Sequence, residues 1–120
     1  MPRLIKKIIF FTLLIGASHQ SLVPRPVAVL AEKPDVFLHF ICWFVLSLAI
    51  LLAFPQKNAY GLIAVLFVYS CLIEVGQHFV EGRFFSFSDM LCNGLGCVGV
   101  LVGQFAYMKM KKDKTVLVDD

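Results

Sequence analysis

"LIEVGQHFVEGRFFSFSDMLCNGLG", Leu72 to Gly96, lies in a chain whose other long stretches are almost free of charge, yet it holds Glu74, Gln77, His78, Glu81, Arg83, Asp89 and Asn93. Its centre, "EGRFFSFSD" (Glu81 to Asp89), carries the glycine and polar residues that break one apolar run from the next. The stretch therefore reads as the end of one helix, a loop and the start of another. Its polar residues belong to a single helix–helix junction.

The surrounding composition names the solvent. Hydrophobic residues make up 59% of the 120 residues and charged residues only 16%, below the roughly 25% usual for soluble domains. The mean hydropathy is +0.83. This is the composition of a membrane protein, and its length leaves room for one compact bundle and no separate soluble module.

Four apolar runs, about residues 4–23, 36–54, 59–80 and 90–108, approach the ~20 residues a helix needs to cross the hydrocarbon. The connections "PRPVAVLAEKPD", "PQKN" and "EGRFFSFSD" contain prolines, glycine and polar residues that end helices. The expected fold is all-α: a single-domain bundle of four transmembrane helices. Arg3, Lys6, Lys7, Lys57, Lys109, Lys111, Lys112 and Lys114 fall on one side of it, against Arg25, Lys33 and Arg83 on the other. Cytoplasmic loops hold the excess of Lys and Arg, so both termini are expected in the cytoplasm. Tyr60 and Tyr107 then sit near the inner interface.

The start, Arg3, Lys6 and Lys7 followed by "IIFFTLLIGAS", shares features with a cleavable signal peptide. A cut after Ala17 would place bulky Ile15 where a small residue is usual, so the first helix is expected to be retained. The ending "KMKKDKTVLVDD" reads as a short solvated tail.

Cys42, Cys71, Cys92 and Cys97 lie in apolar runs without the close pairing and nearby histidines of a zinc motif, and read as small core residues. No metal and no cofactor is expected from linear spacing. The net charge of +3, without a basic block interleaved with aromatics, gives no sign of nucleic-acid binding.

On this topology Asp35, His39, Glu74, Gln77, Arg83, Asp89 and Asn93 all lie within about two helical turns of the outer boundary. Helix neighbours are three or four residues apart. Asp35 and His39, Glu74 with Gln77 and His78, and Asp89 with Asn93 therefore share faces. Asn93, Gly96, Val100 and Gly103 continue one face as a small-residue seam, and Gly99 and Gly103 add a GxxxG spacing suited to close helix approach. The expectation is an extracytoplasmic polar layer capping a tightly packed interior.

These residues carry a family resemblance. "D-x-x-x-H-F" at Asp35 to Phe40, "E-x-x-Q" at Glu74 to Gln77, "G-R" at Gly82 and Arg83, "S-x-S-D" at Ser86 to Asp89, and "N-x-x-G-x-x-G" at Asn93 to Gly99 resemble the VanZ-like family of small bacterial membrane proteins. The likeness covers nearly all of 35–103. Val36 stands where the family often has a basic residue, Glu81 stands where proline is common, and His78 is not a signature position. The resemblance implies a multi-pass protein of the bacterial cytoplasmic (inner) membrane. It also implies a link to low-level teicoplanin resistance, the property associated with the family's name-giving member.

Each polar residue has a structural as well as a functional reading. Asp89 closes an S-x-x-[DE] capping box with Ser86, and Asn93 suits an interhelical hydrogen bond. His39 suits a satisfied core position. Glu74 needs compensation, from Arg83, His39 or a proton, because carboxylates inside a membrane are expensive. Arg83 offers a planar fork for carboxylate or phosphate, and Phe84, Phe85 and Phe87 seat the loop in the interface. The leading expectation is a protein that binds or modulates a lipid-linked cell-wall precursor or similar head group from within the bilayer. An enzyme would use Glu74 or Asp89 as base, His39 as acid or base and Arg83 on a phosphate; a transport or assembly subunit would use Glu74 as a proton site. The chain contains no HExxH, GxSxG or phosphate-loop motif.

Overall fold

The computed structural model describes residues 1–23, 36–81 and 87–119. They form four helices: α1 (Arg3–Leu22), α2 (Val36–Ala53), α3 (Ala59–Gln77) and α4 (Phe87–Asp119). Among the described residues there is no strand. Asp35, Arg83 and the loop phenylalanines Phe84 and Phe85 lie outside the described residues, as does Ser86, the first residue of the capping box.

Local chemistry sets the visible boundaries. Pro2 precedes α1, where its missing N–H is no loss. Asn58 caps α3, its side-chain oxygen accepting the Tyr60 N–H at 2.9 Å. The apolar run ending at Val80 outlasts its α-helix, which stops at Gln77. The N–H groups of His78, Phe79 and Val80 then bond back three residues, to Val75, Gly76 and Gln77, in a tighter final turn.

The last helix differs most from the sequence reading. It begins at Phe87, taking in Ser88 and Asp89, and runs to Asp119 rather than ending near Met108. Neither Gly nor Pro occurs after Gly103, and Lys, Met and Leu are good helix formers. The lysine-rich segment is therefore an exposed continuation of α4, in which Thr115 Oγ1 donates back to the Lys111 carbonyl at 3.0 Å.

The helices alternate up and down. Phe10 and Phe11 of α1 meet Phe54, just after α2, edge to face, and Lys7 Nζ stands 5.2 Å from the Phe54 ring centre, so α1 begins where α2 ends. At the opposite end the Gln77 amide donates to the Ser21 carbonyl at 2.8 Å, joining the ends of α1 and α3. Midway, Ser18 Oγ and the Tyr69 hydroxyl share a 2.6 Å hydrogen bond. The most extensive packing is between α2 and α4. Trp43, Leu46, Ile50 and Ala53, spaced as one helical face, join Phe10, Ile63, Leu66 and Cys97 in a single buried cluster.

Outside this cluster the bundle is apolar as well. Phe37, Val65, Leu72, Leu91 and Val102 are each more than half exposed, an apolar exterior suited to lipid rather than water. Among the described residues two helices, α3 and α4, are long and apolar enough to cross a membrane. In α2 the 18 residues rise about 27 Å, at the edge of what ~30 Å of hydrocarbon needs. The apolar stretch of α1 is diluted by Lys6 and Lys7 at one end and by Ser18 to Ser21 at the other.

Candidate functional site

At the end where α1 and α3 finish and α2 and α4 begin, the core turns polar. Glu74, Gln77 and Asn93 are 1%, 3% and 1% exposed, as deeply buried as the leucines of the core. Burial of such groups is expensive unless they are hydrogen-bonded or charge-compensated. Here α2 supplies His39, one turn into the helix, α3 supplies Glu74 from its last turn, and α4 supplies Asp89 and Asn93 from its first two turns. The four-residue spacing of Asp89 and Asn93 places both on the face of α4 that meets α2.

His39 is the hub. Its Nδ1 lies 2.9 Å from Asn93 Oδ1. An amide oxygen only accepts, so Nδ1 carries the hydrogen and donates it. The other ring nitrogen, Nε2, stands 3.7 Å from Asp89 Oδ2, and both side chains are about one-sixth exposed. One donor atom from each of His39, Glu74 and Asp89 lies within 4.8 Å of the other two. Two carboxylates and an imidazole thus converge from three helices. The N-termini of α2 and α4 flank them, and their partial positive charge favours anions, Asp89 above all because it lies in the first turn of α4.

The close approach that builds this geometry is made by glycine. A Cβ on Gly96 would lie 2.6 Å from the Phe40 carbonyl oxygen and 2.9 Å from the Phe44 nitrogen, so α4 touches the backbone of α2 there. Gly96 lies three residues beyond Asn93, within one turn of it. Gly99 faces the Phe44 ring at an ordinary 3.4 Å, and Gly103 has nothing within 4 Å. Of the three glycines in the packing seam, Gly96 makes the tight contact; Gly103 instead borders an apolar groove between α2 and α4.

The fold therefore gathers His39, Glu74, Asp89 and Asn93. It places Gln77 beside them on α3, with its amide turned to the α1 backbone. His78, the residue just past the end of α3, is exposed. Pairing of Glu74 with Arg83 and of Asp35 with His39 falls outside the described residues. The partner of Gln77 is a backbone carbonyl and carries no side-chain signal in the sequence. The Ser18–Tyr69 bridge joins two residue types common in apolar helices, and nothing in their positions marks them as a pair.

The match to known families follows the same residues. The family model described as VanZ/LLP1 matches residues 3–108, most of the chain and all four helices up to the lysine-rich extension. The chain belongs to the VanZ/LLP1 family. Neither the curated proteins nor the solved structures compared with it gave a match. Two helices long and apolar enough to cross a bilayer, a lipid-suited exterior and the family match together point to a membrane protein. An apolar groove of about 520 Å³ between α3 and α4 starts at Phe87 and Met90, beside the polar cluster, and runs to Leu101 and Tyr60.

Proposed function

We propose that this VanZ/LLP1 protein crosses the bacterial cytoplasmic membrane four times, with both termini in the cytoplasm, and binds the polar head group of a lipid-linked envelope component at its outer end. The observation that carries this reading is the cluster of buried Glu74 and Asn93 with part-buried His39 and Asp89 at one end of an otherwise apolar bundle. A bundle of this size has no need of such a cluster for stability, since apolar residues of similar volume pack as well or better than buried ionic groups. The cluster is not sealed, because His39 and Asp89 keep part of their surface exposed. The α3–α4 groove adds a place for an acyl chain: it is lined almost wholly by apolar side chains, with the small residues Gly94 and Cys97 among them. Residues 87 to 101 span about 21 Å of helix, comparable to an extended lipid tail.

Four spans follow if α1 and α2 cross beside α3 and α4, to which both are packed. The lysines at the start of α1 can snorkel to the interface, and the short α2 can be accommodated by local thinning of the bilayer. Engagement of a lipid-linked cell-wall precursor, and through it an altered response to teicoplanin, is the member of this class favoured by the family resemblance.

The test is mass spectrometry of lipids retained by the protein purified in mild detergent. Wild type should retain a defined anionic lipid class, and Glu74→Gln and Asn93→Leu should lose it, whereas Glu81→Gln, at an exposed position, should not. Retention of the same lipids by all four proteins would refute the site.

A further inference from the structure

The triad His39, Glu74 and Asp89 offers one nitrogen and two carboxylate donors from three helices, with donor atoms within 4.8 Å of one another. We propose that these residues bind a divalent transition-metal ion, of the zinc or manganese class, with His39 ligating through Nε2. The inference stands apart from the head-group reading above, because an ion can be bound with no lipid present.

The geometry of His39 points this way. Asn93 accepts the Nδ1 hydrogen, which leaves Nε2 as the ring nitrogen able to ligate. The 3.7 Å between Nε2 and Oδ2 is longer than a hydrogen bond. It suits two ligands of one ion: bonds of about 2.1 Å separated by roughly 120° give that spacing. A Glu74 carboxylate oxygen, within 4.8 Å of the other two donor atoms, would supply the third bond. A ligating histidine typically donates its other N–H to a fixed acceptor, which sets its tautomer and orientation. Asn93, 1% exposed, occupies that place and is a positioning residue.

A nitrogen-and-oxygen donor set suits borderline divalent ions such as zinc and manganese. Three protein ligands also leave a coordination position open, as in zinc sites that accept an external ligand. No linear motif discloses the set, because its members are 35 and 15 residues apart.

The test uses full-length, tag-free protein in detergent micelles, stripped with a chelator and equilibrated with Zn²⁺. Ions per chain are counted by mass spectrometry after desalting, and Co²⁺ serves as a spectroscopic probe. Wild type should hold one Zn²⁺ per chain and give visible Co²⁺ bands. His39→Ala, Glu74→Gln and Asp89→Asn should each weaken binding by at least about tenfold, and Asn93→Leu by about 10- to 100-fold. His19→Ala and His78→Ala should change nothing, which excludes chance binding to other histidines. Circular dichroism and gel-filtration elution establish that each variant folds; if His39→Ala does not, the near-isosteric Glu74→Gln and Asp89→Asn decide. Absence of stoichiometric binding by wild type, or unchanged affinity in folded Glu74→Gln and Asp89→Asn, overturns the proposal.

Discussion

His39 Nδ1 donates to Asn93 Oδ1 across 2.9 Å, so the fourth residue of α2 and the seventh of α4 are tied together at the most extensive helix interface in the molecule. Double-mutant cycles on interhelical hydrogen bonds in membranes average about 0.6 kcal/mol, with a maximum near 1.7. Asn93 is almost wholly buried, and its removal leaves the His39 N–H to find another partner. A cycle of Asn93→Leu, His39→Leu and the double variant should therefore give a coupling of about 0.6 to 1.7 kcal/mol. Unfolding in mixed micelles measures it. Additive changes would mean that the two side chains do not act on each other.

Gly96 governs the same interface through the backbone. Alanine there would press its Cβ to 2.6 Å from a carbonyl oxygen and 2.9 Å from an amide nitrogen, neither of which can swing aside. Gly96→Ala should lower stability by about 1 to 3 kcal/mol, the usual range for overpacking. Gly103→Ala meets open space and gains helix propensity, so it should be neutral or slightly stabilising. Thermal unfolding of the pair is the check, and equal effects of both changes would contradict the close approach at Gly96.

The contrast between these two glycines shows how far the sequence could be read. Apolar runs locate all four helices, because burial against lipid or core writes itself into composition. Helix ends are less legible: α3 stops short of its apolar run, and α4 outlasts its run by about a third of its length. Hydropathy marks where lipid ends, whereas a helix continues until a breaker or cap stops it, and no Gly or Pro follows Gly103. Likewise, three- and four-residue spacing shows that Asp89 and Asn93 share a face, but not that His39 is what they face. That depends on the rotation of α2 about its axis, which a GxxxG spacing does not fix. Asn93 reads as an interhelical hydrogen-bonding residue from sequence, and its partner is visible only in three dimensions.

The basic residues imply an orientation that can be measured. Arg3, Lys7 and Lys57 converge around the α2–α3 turn, and the lysines of α4 extend beyond the bundle at that same end, opposite the polar cluster. By the positive-inside rule this end is expected to face the cytoplasm. In a background with the four cysteines replaced, a membrane-impermeant maleimide applied to intact cells should label Glu81→Cys, an exposed residue just past α3, and leave Lys57→Cys unlabelled until the membrane is permeabilised. The reverse pattern would invert the protein and move the polar cluster to the cytoplasmic side.

The last prediction concerns the drug response that the VanZ resemblance implies. On the proposed function, the cluster would engage a lipid-linked precursor at the outer membrane boundary, where a lipid-anchored glycopeptide meets its target. Expression in a susceptible Gram-positive host should therefore reduce sensitivity to teicoplanin more than to vancomycin. If the cluster is responsible, Glu74→Gln and Asp89→Asn should lose the effect at matched membrane abundance. Gln104→Leu, beside the α2–α4 groove and away from the cluster, should keep it. Minimum inhibitory concentrations of both drugs across this set provide the measurement. Equal protection by every variant would assign the effect to membrane crowding, since bulk insertion into the bilayer depends on the apolar exterior that all of them share. A well-expressed wild type with no effect would remove drug resistance from this protein's role, while lipid retention and ion binding at His39, Glu74 and Asp89 would still be decided by their own experiments.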